Sequence, residues 1–150
     1  MDTEYSFSDY QRMSEEIRNK NSEYLNGFEE HLQAQGLKDK TISKHLFNVS
    51  FYINTYLLNY DALDVKRGCY EVSNFLGGWF IRKAMWSTVG TIKSNIASFK
   101  KFYSYLLGIG VIEQDDYDDL YDTILYSKDD WFDLVDRYND PDEDNPFFPI

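Results

Sequence analysis

The residues best suited to metal or acid–base chemistry are few and far apart. His31 and His45 are the only histidines, and Cys69 is the only cysteine. A zinc site needs several such ligands at close spacing, so we expect two ordinary helix-face histidines and no metal site. Arg67 lies two residues before Cys69 and would favour its thiolate. No base accompanies it, and we interpret the thiol as structural.

The acidic C-terminal residues imitate the start of a calcium-binding loop. Asp140, Asp142 and Asp144 match the first, third and fifth positions of an EF-hand. Asn145 stands where that loop needs glycine, and no glutamate follows at the position of the bidentate ligand. We therefore interpret residues 139–150 as a solvated, proline-containing acidic tail.

Signatures of the common enzyme sites are missing from the sequence. It has no Walker loop, no serine-hydrolase elbow, no zinc-protease helix and no dinucleotide-binding glycine pattern. The glycines at 77–78 and 108–110 lack the flanking strand that a phosphate loop requires. We predict a protein that is not an enzyme, with no catalytic residues and no cofactor.

Lysines at helical spacing remain as candidates, and their chemistry is the neutralisation of phosphate. Lys40 and Lys44 are four residues apart and would be neighbours on a helix, while Lys93 and Lys100 are two turns apart along one side. Both pairs lie outside the apolar stripes of their segments. Exposed lysines also serve simply to keep helices soluble, so spacing alone leaves both interpretations open.

The charge distribution bears directly on a nucleic-acid partner. The 150 residues include 26 acidic and 15 basic side chains, for a net charge of −11. Residues 1–40 carry −4, residues 41–110 carry +5 and residues 111–150 carry −12. The total opposes phosphate binding, whereas the basic centre permits it.

Apolar residues recur at helical spacing along most of the chain, and no segment alternates with the period of a strand. We predict an all-α fold. Thr41 and either Ser87 or Thr88 are the expected caps of two clear helices. Asn21 or Ser22 would divide the first segment if it is two helices. The predicted helices cover residues 8–35, 41–58, 71–85 and 89–107, with two shorter ones near 117–124 and 131–138.

Two of these helices carry the same apolar rhythm fifty residues apart. In one, Ile42, Leu46, Val49 and Ile53 form the stripe, and the helix beginning near Thr91 repeats it. An internal duplication would produce this pattern. Two core helices in similar surroundings would converge on it as well, and the sequence does not decide between them.

Length and composition predict one domain. A chain of 150 residues with 43% hydrophobic content is long enough to bury a core, and we assign residues 1–138 to a single helical domain. No apolar run is long enough to cross a bilayer, and residues 1–10 lack the features of a signal peptide. A single cysteine suits a reducing compartment. We therefore expect a cytoplasmic protein with no membrane partner.

Seven segments of the chain, taken in order, match the pattern of a known protein family. Segments 28–32, 36–37, 41–46 and 51–52 read Phe-Glu-Glu-His-Leu, Gly-Leu, Thr-Ile-Ser-Lys-His-Leu and Phe-Tyr, and segments 87–89, 91–106 and 110–112 continue it. Together they resemble the core-binding, SAM-like N-terminal domain of tyrosine recombinases (phage integrases). The resemblance covers about residues 20–115, and residues 113–138 would form an acidic helical extension.

The resemblance implies a compact orthogonal bundle of about five to seven helices. In that family the bundle grips one face of the recombination-site DNA and forms a clamp with a separate catalytic domain. Positions carried over from the family give six candidate DNA-binding residues. These are Lys40, Lys44, His45, Lys93, Lys100 and Lys101.

The sequence also departs from the family. The recombinase His-x-x-Arg pair is missing, because Ala34 follows His31 and Asn48 follows His45 at that spacing. Lys38 replaces the serine of the family's Ser-x-x-Thr helix start. Only about 35 residues follow the matched region. We therefore expect no recombinase chemistry from these residues.

Two functions remain open. The first is a non-catalytic domain that binds duplex DNA and is accessory to integration or recombination on a mobile element. The second is an acidic regulatory module that keeps the fold, does not bind DNA and recruits a basic protein through residues 113–144. Either the acidic end folds over the basic lysines or it completes the bundle. The apolar segment 146–150 either docks on the body or recognises a partner.

Overall fold

The computed structural model describes residues 6–147, and its packing divides the chain into two units, Met1–Gly68 and Cys69–Ile150. Every regular element within the described residues is helical, which confirms the all-α prediction. Each unit has helices and buried side chains of its own. The assignment of residues 1–138 to a single domain stays a prediction.

The first unit begins with a long helix, α1 (Phe7–Ala34). Ser6 caps it by accepting a hydrogen bond from the Asp9 backbone, while the Asp9 carboxylate accepts one from the Ser6 N–H. These bonds, with the Arg12 guanidinium nearby, hold the pKa of Asp9 below its usual value. Gly36 ends the helix at φ +81°, a conformation that glycine adopts without strain. The segment predicted as one or two helices is therefore one.

The second helix, α2 (Asp39–Ser50), continues as a π-helical segment, Phe51–Tyr56, and a short α3 (Val65–Gly68) follows. The predicted cap was wrong: Lys38, in extended conformation, precedes the first turn, and Thr41 lies inside it. Lys38 offers no side-chain acceptor, so this start carries no capping signal. Asp39 in the first turn instead complements the helix dipole.

Buried polar side chains fix the π-helical segment to its neighbours. A π turn is wider than an α turn and is found mostly as a single irregular turn. Asn21 of α1 is buried and donates from Nδ2 to the Ile53 carbonyl at 3.3 Å and to Asn54 Oδ1 at 2.8 Å. The Tyr52 hydroxyl donates to the Gly68 carbonyl at 2.6 Å. The segment is therefore held by α1 on one side and by α3 on the other.

The second unit opens with a broken helix: α4 (Val72–Asn74), a π-helical segment Phe75–Trp79, and α5 (Phe80–Lys83). Two long helices come next, α6 (Val89–Gly108) and α7 (Gln114–Asn139), which pack along each other. Thr88 caps α6 through a hydrogen bond from the Thr91 N–H at 3.1 Å, as predicted. Gly110, at φ +79°, ends the turn after α6 as Gly36 does after α1.

One continuous helix replaces the two short helices predicted near residues 117–124 and 131–138. Its buried apolar positions are Leu120, Ile124, Trp131 and Val135, which are spaced by four, seven and four residues and form one face. The stretch between them contains neither glycine nor proline, so nothing interrupts the helix. Sequence reasoning divided it because the apolar stripe thins at Ser127 and Lys128.

Gly77 has a packing role that its sequence context does not reveal. A Cβ atom at Gly77 would lie 2.7 Å from Trp131 Nε1 and 2.8 Å from Trp131 Cδ1. Such distances are shorter than van der Waals contact, so only glycine lets the indole of α7 approach this closely. Gly77 therefore provides the seat for α7.

The start of α7 is fixed by a buried carboxylate. Asp116 accepts a hydrogen bond from the Tyr70 hydroxyl at 2.6 Å and another from the Glu113 N–H at 2.9 Å. The bond to Asp116 raises the pKa of Tyr70 to about 12. This carboxylate therefore joins the first turn of α7 to the segment before α4.

Part of the C-terminal segment docks on the second unit. The Phe147 ring contacts Tyr138 edge-on with centroids 6.0 Å apart, and the Arg82 guanidinium lies 5.3 Å from its centroid. Of the two arrangements expected for the apolar segment, Phe147 adopts the first. Residues 148–150 lie outside the described part of the chain.

Candidate nucleic-acid interface

Two of the six candidate residues lie on the exposed side of α2. Lys40 and Lys44 are exposed and one helical turn apart. Consecutive turns rise by about 5.4 Å, so both ammonium groups can reach adjacent phosphates. The first unit has eleven acidic and eight basic residues, for a net charge of −3. Long-range repulsion of phosphate is therefore weak in this unit.

His45 does not belong with these lysines. Its side chain is only 2% exposed, and a buried imidazole does not contact a nucleic acid. Helical spacing contained the signal, because His45 lies three residues after Ile42 and four before Val49, both buried. The resemblance placed His45 by alignment, whereas periodicity places it inside.

Aromatic rings of α7 lie against the ammonium groups of two lysines of α6. Lys93 Nζ lies 5.3 Å from the centroid of the Phe132 ring, and Lys100 Nζ lies 4.9 Å from that of Tyr121. Both distances are within the range of cation–π attraction, about 6 Å. These two ring contacts link α6 to α7. Lys101, the remaining candidate, is exposed on α6.

The helix that supplies these rings is strongly acidic. Residues 114–139 contain nine aspartates against Lys128 and Arg137. Aspartates at 118, 119, 122, 129, 130, 133 and 136 are exposed. A phosphate approaching Lys93 or Lys100 would meet this negative potential. The acidic helix therefore lies next to two of the candidate lysines, of which Lys93 stays exposed and Lys100 is half-buried.

Sequence reasoning missed an aromatic pair formed by Phe47 of α2 and Phe51, the first residue of the π-helical segment that continues α2. Phe47 is 55% exposed, and its ring lies 6.3 Å from that of Phe51, within 14° of parallel. Lys40, Lys44, Phe47 and Phe51 succeed one another at steps of four, three and four residues along one side of the helix. We call these four residues the α2 stripe. The signal was available, because Phe47 falls outside the predicted apolar stripe.

The structure also places the other groups that the sequence singled out. No group of three or more His, Cys, Asp or Glu side chains within residues 6–147 is arranged to hold a metal ion. Asp140 accepts a hydrogen bond from the Asp142 N–H at 2.9 Å, so it closes a local turn. Cys69 is buried, as expected of a structural thiol.

No helix between residues 6 and 147 is both long and apolar enough to span a membrane.

Comparison with known proteins identifies no relative: no family model matches the chain, and no curated protein or solved structure matches it significantly.

Proposed function

We propose that this chain is a non-catalytic nucleic-acid-binding protein of the recombinase core-binding type, with Lys40 and Lys44 as its principal phosphate contacts. The observation that carries the proposal is the exposure of this lysine pair, one turn apart, on the weakly charged first unit. Lys101 of α6 is a separate contact on the second unit. The sequence resemblance over about residues 20–115 supports the fold type.

The chemistry is phosphate neutralisation, which positions a nucleic acid without reading its sequence. Few phosphate contacts release few counterions, so binding is weak and falls as salt concentration rises. Lys93 and Lys100 contribute less than Lys40 and Lys44 in this proposal, because their ammonium groups lie against the rings of Phe132 and Tyr121 on an acidic helix.

Fluorescence anisotropy with labelled oligonucleotides, duplex and single-stranded, tests this proposal on the full chain. At low salt we expect weak binding that the Lys40→Glu/Lys44→Glu variant loses. A Lys20→Glu/Lys83→Glu variant carries the same change of net charge at other exposed positions and is the matched control. Equal losses in both variants, or no binding of either oligonucleotide to the wild type, would contradict the proposal.

Removing the acidic helix by truncation is unsuitable as a test. Leu120, Ile124 and Trp131 of α7 belong to the core of the second unit, so a deletion would expose apolar surface. Point substitutions on the full chain keep that core intact.

A second function is favoured by the exposed side of α7. Leu125 is 50% exposed and Tyr126 is 80% exposed, among aspartates such as Asp122 and Asp129. An acidic helix that also displays apolar side chains suits a basic, amphipathic protein segment. In this alternative, residues 113–144 recruit a protein and the chain does not bind DNA.

Titration with a synthetic peptide of alternating lysine and leucine distinguishes this alternative. Recognition through α7 requires that Leu125→Ala/Tyr126→Ala weaken binding and that Asp122→Lys/Asp129→Lys abolish it. Unchanged affinity in the first variant would show attraction by charge alone and would count against a recognition surface.

A further inference from the structure

We propose that the α2 stripe binds single-stranded nucleic acid, with phosphates on Lys40 and Lys44 and an unpaired base stacked on Phe47. This inference rests on the proposed function and names its ligand class. It concerns residues of the first unit only.

The order of side chains along α2 suits one strand. Lys40 and Phe51 are eleven residues apart, which corresponds to about 16 Å along a helix. The cations occupy the N-terminal part of this line and the rings the C-terminal part. A single strand lying along the helix would place consecutive phosphates on the lysines and then a base on the rings.

The rings are presented for stacking rather than for core packing. Phe47 keeps more than half of its surface exposed, and Phe51, partly buried, lies beside it at a centroid distance of 6.3 Å. The two planes differ by 14°, so the pair offers similarly oriented faces. Exposed aromatics next to lysines are the arrangement by which proteins bind unpaired bases without sequence preference.

Charge makes a duplex the poorer ligand. The chain carries a net charge of −11, which repels the more highly charged duplex more strongly at long range, and two lysines release only a few counterions from either ligand. The base faces of a duplex are also covered by their neighbours. A single strand exposes those faces, so stacking adds a contribution that salt does not screen.

The central experiment compares three fluorescent ligands with the full chain: a thymidine oligonucleotide, its duplex with an adenosine strand, and an abasic strand of equal length. We expect the thymidine strand to bind most tightly. Phe47→Ala should weaken it by about 5-fold to 150-fold, the range for loss of one stacked base. The abasic strand, which has phosphates and no bases, should bind Phe47→Ala and wild type equally.

Two further variants distinguish stacking from a structural effect. Phe47→Trp keeps an aromatic face and should retain binding. Tyr60→Ala removes another exposed aromatic of the same unit, 79% exposed, and should leave affinity unchanged. With two phosphate contacts, log Kd of the single strand should rise with log salt at a slope of about 1.4, and Lys40→Gln/Lys44→Gln should flatten it.

The inference and the proposed function fail in different ways. If Phe47→Ala binds the thymidine strand within twofold of wild type while Lys40→Glu/Lys44→Glu does not bind, stacking is overturned and phosphate binding stands. If the lysine variants match their control, both fail. If light scattering shows that Phe47→Ala converts a dimer into a monomer without changing oligonucleotide affinity, the stripe is a contact between copies and the inference is overturned.

Discussion

Helices α2 and α6 have buried side chains at corresponding positions, but their exposed surfaces differ. At an offset of fifty residues the positions 42 and 92, 45 and 95, 48 and 98, 49 and 99, 52 and 102, and 53 and 103 are all buried. Even the buried polar positions correspond in sequence: His45 is fifty residues before Asn95, and Asn48 is fifty residues before Ser98. Lys40, Lys44 and Phe47 of α2 are exposed. On α6, Lys93 and Lys100 each lie against an aromatic ring of α7, with Lys93 exposed and Lys100 half-buried.

The difference arises from the next element along the chain in each case. After α2 the chain makes a loop and the four-residue α3, while after α6 it turns at Gly110 and returns as the 26-residue α7 along the same helix. A shared burial pattern therefore does not imply a shared surface function. Because the packing of α7 distinguishes α6 from α2, substitutions that weaken this packing should make the α6 lysines more like those of α2.

The largest effect is expected from Gly77→Ala, because the new Cβ would overlap the Trp131 indole. Overpacking at such a site costs about 1–3 kcal/mol, and we expect the free energy of unfolding to fall by that amount in urea denaturation. Gly78→Ala is the matched control, since its nearest neighbour is Arg82 Nη2 at 3.6 Å. Equal destabilisation by both would show that helix irregularity, and not the seat of Trp131, accounts for the loss.

A smaller effect is expected from Tyr121→Ala/Phe132→Ala, which removes the rings from Lys100 and Lys93. Each cation–π contact contributes about 0.5–1 kcal/mol at an exposed site. The variant should therefore unfold at lower urea and bind single-stranded and duplex DNA more tightly at low salt. Tyr126→Ala removes an exposed ring of the same helix and should change neither property. Unchanged DNA affinity would show that the α6 lysines stay unavailable without the rings.

The smallest effect concerns the anchor at the start of α7 and appears only at high pH. The hydrogen bond to Asp116 raises the pKa of Tyr70 from 10.0 to about 12, so the folded protein holds this proton more tightly than the unfolded chain. Its stabilisation is complete below pH 10 and is lost as the pH rises towards 12. Tyr70→Phe should show a shallower loss of thermal stability over that interval, with Tyr60→Phe as control. Parallel profiles for Tyr70→Phe and wild type would contradict this assignment.

The sequence predicted the helices better than the contacts between them. Periodicity identified α1 and α6 nearly to the residue, because each has a strong apolar stripe, and glycine comes closely after the end of each. It divided α7 at Ser127 and Lys128, because both positions are polar although they are half-buried within the continuous helix. The Lys38 start of α2 carried no capping side chain to recognise.

The candidate site was predicted only in part, for a physical reason. Lysine exposure on α2 follows from local spacing, and so does the burial of His45 once Ile42 and Val49 are taken as core. The contact between Lys100 and Tyr121 depends on how two helices pair across twenty-one residues of sequence. Local periodicity contains no information about that pairing.

Aromatic rings, and not exposed carboxylates, contact Lys93 and Lys100. The packing of α7 on α6 therefore does not depend on the exposed aspartates of α7. The exposed aspartates 122, 129 and 130 make no contribution to the contacts that seat the helix. Substitution of these three by asparagine should leave the fold intact while changing the net charge from −11 to −8. The net charge of this protein can therefore change without loss of the fold, whereas loss of Tyr121, Phe132 or the Gly77–Trp131 contact lowers its stability.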